Sequence, residues 1–289
     1  MGKTIWELDF YSRPIFDENK KKVWELLICE SPLTVVRSPD SLFRFSKFTN
    51  SQTVNSIWLK AALEEALAAA PTPPQRIRFF RRAMNNMIIK ACEDASLVAV
   101  PSRRTYTLNH WLAERLETVY PQQAGYDAAA ASNASVQYPA LNPIALPDAV
   151  RGDKRDRWAL VNLEARSLQE MVDWEVAFGE GFPLELTAVQ PETPIPGLLI
   201  FSPRALPLSG WMAGLELGYL HLEEKPLPRL CLETGSSDSW ILADLKSKGM
   251  VAEAQQFEVA KQASDGVHFL ALQTRQENEA FAGFWLLQG

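Results

Sequence analysis

Three stretches that alternate apolar and polar side chains come before the first helical pattern, and that order limits the architecture of this chain more than any other feature. Residues 5–11 place Trp6, Leu8 and Phe10 on one face and Glu7, Asp9 and Tyr11 on the other, the period of a strand with one buried side. Asp17-Glu18-Asn19-Lys20 supplies a turn, residues 23–29 (VWELLIC) read as a second and more central strand, and residues 42–48 (LFRFSKF) alternate as a third. A helix follows, with Asn50 or Ser51 as its cap, Val54, Ile57, Trp58 and Ala61 as its apolar stripe, and Pro71 past its end.

Strands and helices then alternate. A short strand at 76–80 precedes a helix carrying Met84, Met87, Ile88, Ala91 and Ala95. A strand at 97–100 precedes a helix carrying Leu108, Trp111, Leu112, Leu116 and Val119. The order β-β-β-α-β-α-β-α, an antiparallel meander followed by right-handed crossovers, is the ribonuclease-H-like arrangement. Residues 1–120 therefore form a first domain. Residues 121–153, rich in Ala, Ser, Pro and Asn, read as a linker.

Residues 154–289 form a second, mixed α/β domain. Its expected strands lie at 158–163, 198–201, 219–222, 230–233, 240–245 and 267–272, and its helices at 168–178, 208–217 and around Met250, Ala254 and Phe257. Thr274-Arg275-Gln276-Glu277 has the form of a capping box that opens a last helix. The rhythm of this half allows a diverged second copy of the first. The whole is an α/β chain of two domains.

Charge is distributed unevenly. The net charge is −6, which argues against a sequence-blind coat for DNA or membrane. Yet residues 76–111 hold seven cations (Arg76, Arg78, Arg81, Arg82, Lys90, Arg103 and Arg104) against Glu93 and Asp94. Arg81–Arg82 and Arg103–Arg104 each stand just before a helical pattern. Guanidinium forks at such junctions hold phosphates well, with Phe80 or Tyr106 as a stacking face for a base. The competing reading is a solvated face that pairs with surface carboxylates.

A ribonuclease-H-like centre cuts when carboxylates converge on magnesium. Asp9 stands where the first acid would, and Glu64 or Glu65 on the first long helix could be a second. Arginines at the remaining corners would repel metal, so the domain reads as non-enzymatic, with Asp9 paired to Arg13 or to one of the arginine pairs. Cys29, Cys92 and Cys231 are far apart and match no metal or redox spacing. No phosphate-cradling glycine loop, nucleophile elbow or cofactor motif is present. The start lacks a secretory, transit or myristoylation pattern, and no apolar run approaches a bilayer's thickness, so a cytoplasmic location without membrane insertion is expected.

Several segments together resemble the TAB-type translation-activator family, the RNA-binding factors for the photosystem I psaB message with chloroplast and cyanobacterial relatives. They are residues 6–15 (WELDFYSRPI), 23–28 (VWELLI), the basic-then-Met-rich 81–91, 101–104 (PSRR) leading to Trp111-Leu112, 211–216 (WMAGLE) and Trp285-Leu286-Leu287. The resemblance implies an RNA-binding protein that supports translation or assembly of photosystem I, and by extension photosystem II, subunits. Its partners would be the leader of a photosystem message and ribosomal or assembly proteins, in a cyanobacterial cytoplasm or a chloroplast stroma. It also marks Trp285, Leu286 and Leu287 as a functional C-terminal segment. Phosphate contacts from Arg81, Arg82, Arg103 and Arg104 follow from the residues alone. Two alternatives stand beside this: an assembly factor that touches protein and not RNA, and a magnesium-dependent nuclease built on Asp9.

Overall fold

Strand β1 (Ile5–Phe16) lies at the centre of the first sheet in a computed structural model that describes residues 3–131, 141–152, 156–276 and 280–289. It pairs antiparallel with β2 (Lys22–Ser31), which pairs antiparallel with β3 (Arg44–Thr49). The β1–β2 turn is held by Asp17, whose carboxylate accepts from the Asn19 and Lys21 amides, while Lys20 takes a left-handed φ of 58°.

Helix α1 (Ser56–Ala69) comes next. Its cap is Asn55, whose side chain accepts from the Trp58 amide at 2.9 Å. Neither Asn50 nor Ser51, the two caps expected from the sequence, holds that place, and Asn50 instead closes a local turn on the Gln52 amide. Then follow β4 (Arg76–Phe79), α2 (Asn85–Asp94), β5 (Ala99–Pro101) and α3 (Tyr106–Thr118). β4 lies parallel to β1, and β5 parallel to β4, so the sheet order is β3-β2-β1-β4-β5. The element order β-β-β-α-β-α-β-α is the one the sequence predicts.

One expectation about β1 fails. Alternation predicts an open polar face, but Glu7 and Asp9 are as buried as Trp6 and Leu8. On one side of the sheet, α1 and α2 contribute Leu59, Leu63, Ile88 and Ala91 to a core with Trp6, Leu8 and Phe10. On the other, Leu108 and Trp111 of α3 pack on Leu27, Cys29 and Phe80. The polar face is therefore covered, and its charges have to be neutralised inside.

The chain divides into two compact units, residues 1–31 with 40–139 and residues 32–39 with 140–289. The first also holds the short helix α4 (Ala128–Ala131). The second begins with β6 (Ile144–Ala145), β7 (Arg157–Glu164) and β8 (Val176–Glu180), continues through β9 (Pro194–Phe201), α5 (Ala205–Ala213), β10 (Leu217–Glu223), β11 (Arg229–Thr234) and β12 (Asp238–Asp244), and ends with α6 (Lys248–Ala263), β13 (Val267–Gln273) and β14 (Phe281–Gln288). It is mixed α/β, as expected, but its strands follow a different plan from the first unit. They form a five-stranded sheet, β7-β9-β13-β14-β8, and a four-stranded sheet, β10-β11-β12-β6.

Two elements of the second unit differ from expectation. The helix predicted over 168–178 is a 3-10 turn at Ala165–Asp173 followed by β8. In place of the expected last helix stands β14, antiparallel to β13; its largely apolar run FAGFWLLQ suits a strand buried on both faces, and Glu277 of the supposed capping box lies outside the described residues. The core packs Leu208 and Met212 of α5 and Ala254 and Phe257 of α6 with Leu198, Leu270 and Leu287. At the edge strand β10, backbone groups are met by side chains. The Leu220 amide donates to His268 Nε2 at 2.8 Å, Lys261 Nζ donates to the Leu220 carbonyl at 2.5 Å, and the Leu222 amide donates to Glu258 at 2.8 Å.

Candidate nucleic-acid interface

In open α/β sheets, ligand sites form beyond the carboxyl ends of parallel strands, where the strand order reverses. β1 is such a place, since it pairs antiparallel with β2 and parallel with β4. Phe79 at the end of β4 is the register partner of Pro101 at the end of β5. Each strand then runs directly into an arginine pair. The topology thus gathers Arg81, Arg82, Arg103 and Arg104 at one end of two adjacent strands.

Packing then divides them. Arg82 is exposed and Arg103 half-buried. Arg81 is 8 % exposed and Arg104 2 %, which takes both away from the open surface expected for them. Arg81 is drawn inward by Asp9: its Nε donates to Oδ1 at 2.8 Å and its Nη2 to Oδ2 at 3.4 Å. The same guanidinium lies over the rings of Tyr11, at 4.1 Å, and Phe80, at 4.8 Å. Phe80 is consequently buried rather than offered to a base. Tyr106 is half-buried beneath the Arg104 guanidinium, 5.3 Å away.

Asp9 is also reached from its own strand. Arg13 donates from Nη1 to Asp9 Oδ2 at 2.8 Å and from Nε to Glu25 Oε2 at 3.0 Å. Glu25 accepts in addition from Arg115 of α3 and from the Tyr120 hydroxyl, the latter at 2.6 Å. Burial pushes the Asp9 carboxyl up, but Arg13 and Arg81 outweigh it and hold the group below its usual range. Burial pushes the Tyr120 hydroxyl up, so the phenol keeps its proton and donates. Within these five charged side chains, three guanidiniums face two carboxylates.

Glu7, two residues before Asp9 on the same face, does a different job. Its Oε2 accepts from the Leu108 amide at 2.7 Å and so closes the first turn of α3, where Thr105 makes no side-chain cap bond.

The sequence pointed to Asp9 and to its pairing with Arg13 or an arginine pair, and both Arg13 and Arg81 hold it. It missed Arg115 and Glu25. Arg115 falls four residues after Trp111 on the stripe that starts at Leu108, and a cation on an otherwise apolar stripe is the signal for a buried carboxylate opposite.

Glu64 and Glu65, the other acids weighed for a metal centre, are exposed on α1. They pair with Lys60 at 2.6 Å and with Lys47 at 2.6 Å. Among the described residues no group of three or more His, Cys, Asp or Glu side chains is placed to hold a metal ion. Trp285, Leu286 and Leu287 lie in β14 opposite Leu270, Phe269 and His268 and are buried. Among the described residues no helix is long and apolar enough to cross a membrane.

Comparison with known proteins covers nearly the whole chain. Residues 5–115 match the family model described as the N-terminal part of the RNA-binding protein Tab2/Atab2, and residues 133–288 match the model for its C-terminal domain. A maize protein named as a chloroplastic TAB2 homolog is 37 % identical over 98 % of this chain and 70 % of its own length. An Arabidopsis thaliana protein of the same name is 36 % identical over 98 % of this chain and 74 % of its own.

Proposed function

Because the chain belongs to the Tab2/Atab2 family of RNA-binding proteins, we propose that it is a non-enzymatic RNA-binding protein that supports translation or assembly of photosystem I, and by extension photosystem II, subunits. The chloroplast designation of its relatives supports a photosynthetic setting. Work in a cyanobacterial cytoplasm on the leader of a photosystem message is part of the same proposal.

The observation that carries the reading is the cationic corner beyond β4 and β5. Arg82 and Arg103 stand at its surface and Arg81 and Arg104 behind them, so the outer pair engages phosphates while the inner pair fixes the corner's shape. The strand order β3-β2-β1-β4-β5 of the first unit supports a ribonuclease-H-like reading, in which the Arg81–Asp9 ion pair stands where metal-binding carboxylates would otherwise meet. Phe80 is buried, so Tyr106, half-buried at the start of α3 and two residues after Arg104, is the aromatic side chain assigned to stack on a base.

Filter binding of leader RNA across a salt series tests it. On single strands log affinity falls against log salt by about 0.7 per phosphate engaged. The double variant Arg82→Ala/Arg103→Ala is expected to flatten that slope by roughly 1.4 and to weaken all sequences alike. An unchanged slope would remove this corner from the interface.

A further inference from the structure

A cavity of about 120 Å³ lies against the Asp9–Glu25 charge cluster within the first unit. Its polar wall is made by Ser12 and Arg13 of β1, Lys22 at the start of β2, Arg81 after β4, and Tyr120. Ala131 of α4 closes part of its apolar side. Three of the wall residues are cations and none is a carboxylate, because Asp9 and Glu25 sit behind the guanidiniums they hold.

We propose that this cavity seats a phosphate group. Arg81 commits Nε and Nη2 to Asp9, and among the described residues its Nη1 makes no hydrogen bond to the protein. That nitrogen belongs to a side chain more than nine-tenths buried that lines the cavity, so its hydrogens are available there to an acceptor. Arg13 is held at Nε and Nη1 by Glu25 and Asp9 and is fixed beside it. Guanidiniums already ordered by internal carboxylates lose little freedom on binding, and their bonds to an anion are charge-assisted. The cluster's surplus guanidinium supplies the charge that a phosphate neutralises.

Size selects the form of the ligand. The cavity is smaller than the about 150 Å³ engineered pocket that holds one benzene ring, so it admits a phosphate group but no nucleobase behind it. Such a seat suits a group at the end of a chain. The structure therefore assigns to it either the 5′-phosphate of an RNA, which rests on the RNA-binding reading above, or a free phosphate anion, which does not.

The test uses the full chain and two RNA oligonucleotides identical except for a 5′-phosphate or 5′-hydroxyl. In parallel, thermal unfolding is followed in inorganic phosphate against chloride at matched ionic strength. Lys22→Glu reverses a charge at an exposed wall position, and Ala131→Phe fills the space. Neither touches the Asp9, Arg13, Arg81 and Glu25 set, and an unchanged melting temperature without phosphate shows that each folds. The 5′-phosphorylated RNA is expected to bind about tenfold tighter, the factor one charge-assisted hydrogen bond supplies. Both variants are expected to lose that preference while binding 5′-hydroxyl RNA as the parent does.

Stabilisation by inorganic phosphate that Ala131→Phe abolishes, with no preference between the RNAs, assigns the seat to free phosphate. The absence of both a preference and a phosphate-specific shift overturns the proposal. In that case intact binding of 5′-hydroxyl RNA leaves the RNA-binding reading standing. Absent RNA binding beside a phosphate shift sinks that reading and keeps the seat.

Discussion

Asp9 and Arg81 meet at 2.8 Å, one from the central strand and the other from the loop that leaves its parallel neighbour, and both side chains are more than nine-tenths buried. An ion pair at that depth has surrendered its hydration, so each partner depends on the other and on Arg13.

Asp9→Asn keeps the shape of the side chain and removes its charge, leaving two buried guanidiniums facing a neutral amide. A loss of about 3 kcal/mol or more is expected, within the range for breaking a buried pair, read from denaturant midpoints. The paired change Asp9→Asn/Arg81→Met is expected to recover part of it. A loss in the double variant equal to the sum of the Asp9→Asn and Arg81→Met losses measured singly would show that the pair does not couple.

Stability should fall with acid in two stages. Burial pushes the His221 imidazole down against Glu233 and Glu258, so the folded form resists the proton that the unfolded chain accepts from about pH 6.5 downward. Stability is complete above that value and declines below it. Asp9 is held below its usual range, so its share is present above about pH 3.9 and lost as pH falls through the lower folded value. Urea midpoints against pH check both stages, and His221→Gln should erase the upper one alone.

Trp285→Ala is expected to cost about 3–5 kcal/mol, the usual range for deleting a buried tryptophan. The segment Trp285-Leu286-Leu287 would then matter by holding β14 to β13 rather than by touching a partner. RNA affinity measured well below the lowered melting temperature should match the parent. A loss of binding by a fully folded variant would argue for direct contact.

Glu7→Gln keeps an acceptor for the Leu108 amide but removes the charge that favours the start of α3. A loss of about 0.5–2 kcal/mol is expected, the scale of helix caps. Glu7→Ala should cost more, since the amide is then left without its acceptor inside the protein. Hydrogen exchange of the Leu108 amide gives a local readout of both.

The elements of the first unit were legible because strands and helices there differ in period and are punctuated by Pro, Asn and Asp. The coverage of β1 was not. Alternation in residues 5–11 says that two faces differ, and not that the polar one faces water. Glu7 and Asp9 are neutralised or capped by Arg13, Arg81 and Leu108, contributed by three different parts of the chain, and such pairing leaves no local pattern. The two arginine pairs were visible as charge, but the inward turn of Arg81 was set by Asp9 and by the Tyr11 ring. In the second unit, residues 281–288 carry apolar side chains at nearly every position, which a buried strand and a buried helix share. Pairing with β13 decided between them.

The side chains that meet the backbone of β10 have a consequence for assembly. An unoccupied sheet margin invites a foreign segment to lie alongside and extend the ladder. With His268 and Lys261 already bonded to Leu220, and Glu258 to Leu222, such a segment would first have to displace an imidazole, an ammonium and a carboxylate from within the molecule. Strand donation at Leu220 and Leu222 of β10 is thereby blocked from within the molecule.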